Sequence, residues 1–156
     1  MKVSVIGRPN GVGLLDLMVA LVIFSLFAAL AVPAYTGMVN RGRVAGAIGD
    51  VGSIAVQIER FAVNNNDRLP ANLNELQMDI PKDPWGNDYQ YLNIRAAGPG
   101  NGPFRKDGNL NPINTDFDLY SMGADGASAG PLSAKNSRDD IVRANNGAFI
   151  GLGEDY

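Results

Sequence analysis

The stretch "LLDLMVALVIFSLFAALAVPAY", residues 14–35, decides how the chain is read. Every residue from Leu17 to Val32 is apolar except Ser25. The apolar run from Leu14 to Ala34 has about 20 residues, the length that crosses roughly 30 Å of hydrocarbon as a helix. Asp16 stands at its edge, and a charge at the centre of a membrane helix costs about 2.5–3.5 kcal/mol on insertion scales. Two readings of that acid are open from the residues. It caps the helix start, where the macrodipole favours a negative charge, or it pairs with a cation from elsewhere. Lys2 and Arg8 precede the run and keep the N-terminus cytoplasmic under the positive-inside rule. A cleavable secretory signal, with a core of about 7–15 residues, is the competing reading, and Ala28, Ala29 and Ala31 imitate its cleavage site. A plain signal-anchor is another. Pro33 closes the run, where it can kink the helix and release a backbone carbonyl.

The chain has 156 residues, 46% apolar and 19% charged, with a net charge of -3. This suits one small domain plus an anchor. The mild acidity and the lack of a basic stripe interleaved with aromatics argue against nucleic acid as a partner. The sequence contains no Cys and no His, which excludes Cys/His zinc sites, thiol nucleophiles, imidazole bases and the usual triads. Any metal would be a hard cation held through oxygen.

Beyond Tyr35 the helical pattern continues. Ile48, Val51, Ile54, Ala55, Ile58, Phe61 and Ala62 recur at three- and four-residue intervals, an amphipathic stripe expected to pack on a sheet. Gly37, Gly42, Gly46, Gly49 and Gly52 each cost up to about 1 kcal/mol against alanine, so this part is expected to be loose or closely packed. "NNND", residues 64–67, ends the helix. In "LPANLNEL", Asn72 or Asn74 offers a cap for one short helical turn. Trp85 and Gly86 mark a turn, "DYQYLNI" (88–94) and "FDLYSMG" (117–123) read as strands, and "DDIVRAN" with "GAFIGL" reads as a last hairpin. Residues 95–115 are loop-like.

Taken together, "GVGLLDLMVALVI" from Gly11 resembles the class III signal of type IV pilins and type II secretion pseudopilins. Its usual form is G-F-T-L-x-E before an apolar helix. The resemblance implies that a prepilin peptidase cuts after Gly11 and N-methylates Val12, making Asp16 the fifth mature residue. Pro33 falls where the family also carries a proline. Val12 and Asp16 stand where Phe and Glu are usual. The cut would create an α-ammonium on Val12, and Asp16 of a neighbouring copy would pair with it as helices stack into a filament, each charge needing the other once desolvated. "DPWGNDYQYLN" followed by "DLYSMGADG" is similar to the type II secretion major pseudopilin, the G-type subunit; residues 95–115 and 129–138 lie outside the resemblance.

The expected fold is therefore α+β. A long N-terminal helix, half membrane-embedded and half amphipathic, packs on a small antiparallel sheet with a calcium-type loop. The expected divisions are a leader (1–11), an assembly helix (12–34), its amphipathic continuation (35–66) and a globular β region (67–156). The resemblance implies calcium held by the side chains of Asp125, Asp139 and Asp140 and the carbonyls of Met122 and Ala127. It also implies a homopolymeric filament of a type II secretion system, with minor pseudopilins, the prepilin peptidase and an inner-membrane assembly platform as partners. The chain would be stored single-pass in the bacterial inner membrane, with its C-terminal region in the periplasm. No catalytic residue is expected. The alternatives are a pilin of a surface type IV or type II-like pilus, with 95–115 and 127–138 as exposed decorations, and a membrane-anchored periplasmic enzyme or binding module using Asp116/Asp118 or Asp139/Asp140.

Overall fold

The computed structural model describes residues 13–98 and 102–156. The chain divides into two compact units, Met1–Asn40 and Arg41–Tyr156. Helix α1, Leu14–Asn64, runs unbroken through Pro33 and the glycines that follow. Pro33 has no N–H for the carbonyl four residues before it, while its own carbonyl accepts the Thr36 hydroxyl at 3.0 Å. The expected looseness at Gly42–Gly52 is not found. A Cβ added at Gly46 would meet Pro84 at 3.5 Å, and one at Gly52 would meet Ile150 at 3.8 Å. Small residues are needed there because other chain segments pass close by.

In the first unit, every described residue except Ala28 and Gly37 is exposed. Leu14 is 80% exposed and Leu30 75%, and the large apolar side chains of this helical segment are all exposed. Ser25, the one polar side chain of the run, donates its hydroxyl to the Val22 carbonyl at 2.8 Å, which reduces its cost in an apolar surrounding.

The second unit is built on the other half of α1. Ala47, Val51, Ile54, Ala55, Ile58 and Ala62 are buried, at the spacing the sequence predicts, with Ile48 partly buried against the same core. The helix ends at Asn64, and Asn66 and Asp67 take left-handed backbone angles that turn the chain. Asn72 caps a 3-10 turn, Leu73–Leu76, through its side chain.

Four strands follow: β1 Gln90–Asn93, β2 Phe117–Ser121, β3 Ile141–Ala144 and β4 Phe149–Leu152. They form an antiparallel sheet in the order β1-β2-β3-β4. The two-residue period sends Tyr91, Phe117, Leu119, Ile141, Ile150 and Leu152 to the helix side. Val142, Ala144, Tyr120 and Phe149 point the other way, into a second cluster with Ile113 and Leu132.

That second cluster corrects one expectation. Segment 102–115 is irregular but is no exposed decoration: Phe104, Arg105, Ile113 and Asn114 are buried. Arg105 N–H donates to Asp118 Oδ2 at 2.8 Å, and Asn114 Nδ2 donates to Asp118 Oδ1 at 2.9 Å. Lys106 is joined to the loop ahead of β3, its N–H donating to the Gly130 carbonyl and its carbonyl accepting from Leu132 N–H, both at 2.9 Å. A sheet with two apolar faces needs two covers; the helix supplies one and these loops the other.

On the helix side Arg143 is buried. It grips Asp116 bidentately at 2.9 and 2.7 Å, and its guanidinium lies 3.9 Å from the Phe117 ring centroid. Burial by itself raises the Asp116 carboxyl, but the hydrogen bonds from Arg143 and from the Phe117 N–H outweigh it and hold the group below its ordinary value. A lowered folded-state pKa gives stability that is present above the unfolded value and is lost as pH falls through the folded one. Asp118 runs the other way. Its burial exceeds the help from the Arg105 N–H and Asn114, so its carboxyl is raised.

Asp116→Asn is therefore expected to lower stability by about 3 kcal/mol near neutrality, because a buried guanidinium loses its bidentate carboxylate and keeps only the more distant, exposed Glu59 at 3.7 Å. Most of that deficit should vanish as pH falls through the depressed native value of the Asp116 carboxyl, where that group is itself protonated. Urea midpoints of both proteins across this range measure it; a pH-independent difference would contradict the assignment.

Candidate functional site

Two places carry the functional expectations. The first is the start of α1. Gly11 and Val12 lie outside the described residues. Asp16 occupies the third helical position, and its Oδ2 accepts the Gly13 N–H at 3.0 Å. This is half of a capping box, in which an acid reaches back to an orphan donor in the field of the helix N-terminus. Within a single chain, then, Asp16 caps its own helix. Pro33 lies inside α1.

The second place is the connection from β2 to β3, which carries Asp125, Asp139 and Asp140. Among the described residues, no group of three or more acids is arranged to hold a metal ion. Asp125 closes a local turn, its Oδ1 accepting the Ala127 N–H at 2.8 Å. Asp139 Oδ2 accepts two backbone N–H groups, from Ala124 at 2.8 Å and Asp125 at 3.1 Å. Met122 and Ala127 flank this turn. Gly123 has φ +62, and a Cβ there would collide with the Asp139 carbonyl, so only glycine fits both the backbone angle and the approach.

Asp140 is fully buried. Its Oδ2 contacts Arg105 Nη2 and accepts the Ser128 hydroxyl at 2.6 Å. Arg105 Nη1 donates to the Ala129 carbonyl at 2.7 Å and also to Ser128 Oγ, and the guanidinium lies 4.1 Å from the Tyr120 ring centroid. Burial pushes the Asp140 carboxyl up, while Ser128 and Arg105 pull it back. With a permanent cation in contact the pair is ionised at neutral pH.

Sequence reasoning missed Arg105 and Ser128. A lone arginine in an irregular polar segment has no periodicity to mark it. It also missed the network under the "DPWGN" turn. There, buried Asp83 accepts the Trp85 N–H at 3.0 Å, the Asn87 N–H at 2.8 Å and the Ser121 hydroxyl at 2.5 Å, and Asn87 Nδ2 donates to the Gly123 carbonyl at 3.0 Å. An Asp two residues before an aromatic-glycine turn is the available signal, since Asp side chains bond their own backbone two residues on.

None of the carboxylates nominated for acid chemistry is arranged for it. Asp116 is held by Arg143, and Asp118 by Asn114 and a backbone N–H. Asp139 is held by two backbone N–H groups and Asp140 by Arg105. Each is spent on fixing a loop.

No family model matches the chain, and no solved structure matches it significantly. Among curated proteins it is 30% identical over 143 residues to the type II secretion system core protein G of Pseudomonas aeruginosa, covering 79% of this chain and 89% of that protein. The namesake of Pectobacterium carotovorum subsp. carotovorum is 29% identical over 140 residues, covering 76% and 78%. That of Vibrio cholerae is 26% identical over 142 residues, covering 79% and 86%. With identity of this order over most of both chains, and with an exposed apolar N-terminal helix and a four-stranded antiparallel sheet in place, the chain belongs to the type II secretion system core protein G family.

Proposed function

We infer that this protein is a structural, non-enzymatic subunit of the pseudopilus of a type II secretion system, polymerising through its N-terminal helix. Family membership carries the reading, and the helix supplies its physics. From Leu14 to Met38 the large apolar side chains are exposed in the single chain. Such a surface demands lipid or other copies of itself. The proteins it resembles are named for secretion rather than for a surface pilus, which favours the pseudopilus over the pilin alternative.

The finer steps belong to this proposal. Residues 1–11 form the leader, 12–34 the membrane and assembly segment, 35–66 its continuation and 67–156 the periplasmic region. A prepilin peptidase cuts after Gly11 and methylates Val12. Before assembly the subunit is stored single-pass in the inner membrane. An assembly platform then adds copies to a periplasmic filament that also contains minor pseudopilins. In the filament, Asp16 exchanges its cap for the ammonium of a neighbouring Val12, a stronger partner than a neutral N–H. Pro33, inside the same helix, supports this role by its fit to the family pattern.

Calcium fits this chain poorly. Of the three expected carboxylates, Asp140 already has a cation, and Asp125 Oδ1 and Asp139 Oδ2 accept backbone N–H groups. No step of the proposed function is routed through the ion.

Intact mass of the membrane-purified protein is expected to match a chain beginning at Val12 and carrying one extra methyl group; an untrimmed chain, or one released by a cut near Ala31, would end the reading. Asp16→Ala is expected to leave membrane insertion intact and abolish filaments, since breaking a desolvated pair costs about 3–5 kcal/mol per contact. Electron microscopy of sheared filaments against immunoblots of the membrane fraction reads both, and normal filaments from the variant would refute the pairing.

A further inference from the structure

The geometry points to Arg105 as a built-in cation that does, for the connection between β2 and β3, the work the family resemblance assigns to calcium. The folded loop accordingly needs no divalent metal.

Asp140 is the one fully buried member of the expected carboxylate set, so it is the charge that most needs compensation. Arg105, only 3% exposed, provides it. Through its two terminal nitrogens the guanidinium gathers a carboxylate from Asp140, a hydroxyl from Ser128 and a backbone carbonyl from Ala129. These are oxygen donors of the kind calcium collects. They come from both sides of the loop, so one side chain ties residues 128–129 to residue 140.

Arg105 is also fixed in advance. Its N–H is held by Asp118, the next residue is hydrogen-bonded to Gly130 and Leu132, and its guanidinium rests on Tyr120. Buried Asp140 Oδ1 and buried Arg105 Nε both lack a hydrogen-bond partner, as does Nε of the other buried arginine, Arg143. A divalent ion bound to Asp140 would also sit within a few ångströms of a permanent positive charge in a buried site, where repulsion is poorly screened. Arg105 and Ala129 come from the two segments that fall outside the family resemblance, 95–115 and 129–138. The departures from the pattern meet at Asp140.

The test uses the full-length protein in detergent micelles, with the fluorescence of Trp85, the single tryptophan, following thermal unfolding in millimolar calcium or in chelator. The two midpoints are expected to coincide within about 2 °C. A larger rise that saturates with calcium would overturn the proposal, because a ligand that binds only the folded state must raise the midpoint. Arg105→Met is expected to lower the midpoint by about 10 °C or more, by stranding the Asp140 charge. Arg105→Met/Asp140→Leu is expected to recover most of that loss, since removing both charges removes the need for either. A single variant that fails to fold beside a double variant that folds supports the same coupling, and a single variant that melts like the native protein overturns it. These melts do not depend on whether the helices polymerise, so a failed assembly experiment leaves them interpretable.

Discussion

Everything in the C-terminal unit rests on one packed stripe, the face of α1 formed by Ala47, Val51, Ile54, Ala55, Ile58 and Ala62 against Tyr89, Phe117, Leu119 and Ile141. Aliphatic side chains supply the driving force, about 1.5–3 kcal/mol for each large one fully buried. The alanines, together with Gly46 and Gly52, let the strands and the Pro84 turn come close. Tyr89 adds a polar pin, its hydroxyl donating to Asp50 of the helix at 2.8 Å. Once that face is covered, the sheet still has a second one. The irregular segments 102–115 and 124–138 are ordered because they cover it.

The two buried arginines then acquire a common logic. Arg143 stacks on Phe117 and Arg105 on Tyr120, from opposite sides of β2, and each neutralises an acid at the end of a loop. Buried ion pairs stabilise little compared with well-packed apolar residues, and breaking one is costly. Their contribution is to fix which loop conformation covers the sheet. A guanidinium suits this task because its planar fork stays charged and stacks on a ring while it donates. Loops with few apolar residues are thereby held in one arrangement.

The N-terminal unit follows a different principle. It has almost no buried surface of its own, and its hydrogen bonds are satisfied within the helix, including the hydroxyls of Ser25 and Thr36. Such a helix is suited to exchanging one apolar surrounding, lipid, for another, the helices of neighbouring copies. Asp16 is the position where that exchange changes electrostatics, because among the described residues its carboxylate accepts the neutral Gly13 N–H rather than a cation's.

By itself the sequence determined the long helix, the buried stripe on its second half, four strands at nearly their observed places, a capped turn at Asn72 or Asn74 and the resemblance to the pseudopilin superfamily. Those features are local or periodic. A 3.6-residue repeat, a two-residue alternation or a contiguous motif survives in one dimension. Only the tertiary structure decided that 102–115 is a cover for the sheet, that Arg143 faces Asp116, and that Asp140 faces Arg105 rather than Asp125 and Asp139. Each of those facts pairs residues distant in sequence, and nothing in either partner's neighbourhood names the other. The acids of the β2–β3 connection show the difference most directly. The family resemblance implies a calcium loop for them, but a carboxylate's function depends on which donor reaches it first, and here backbone N–H groups and a guanidinium are already within reach.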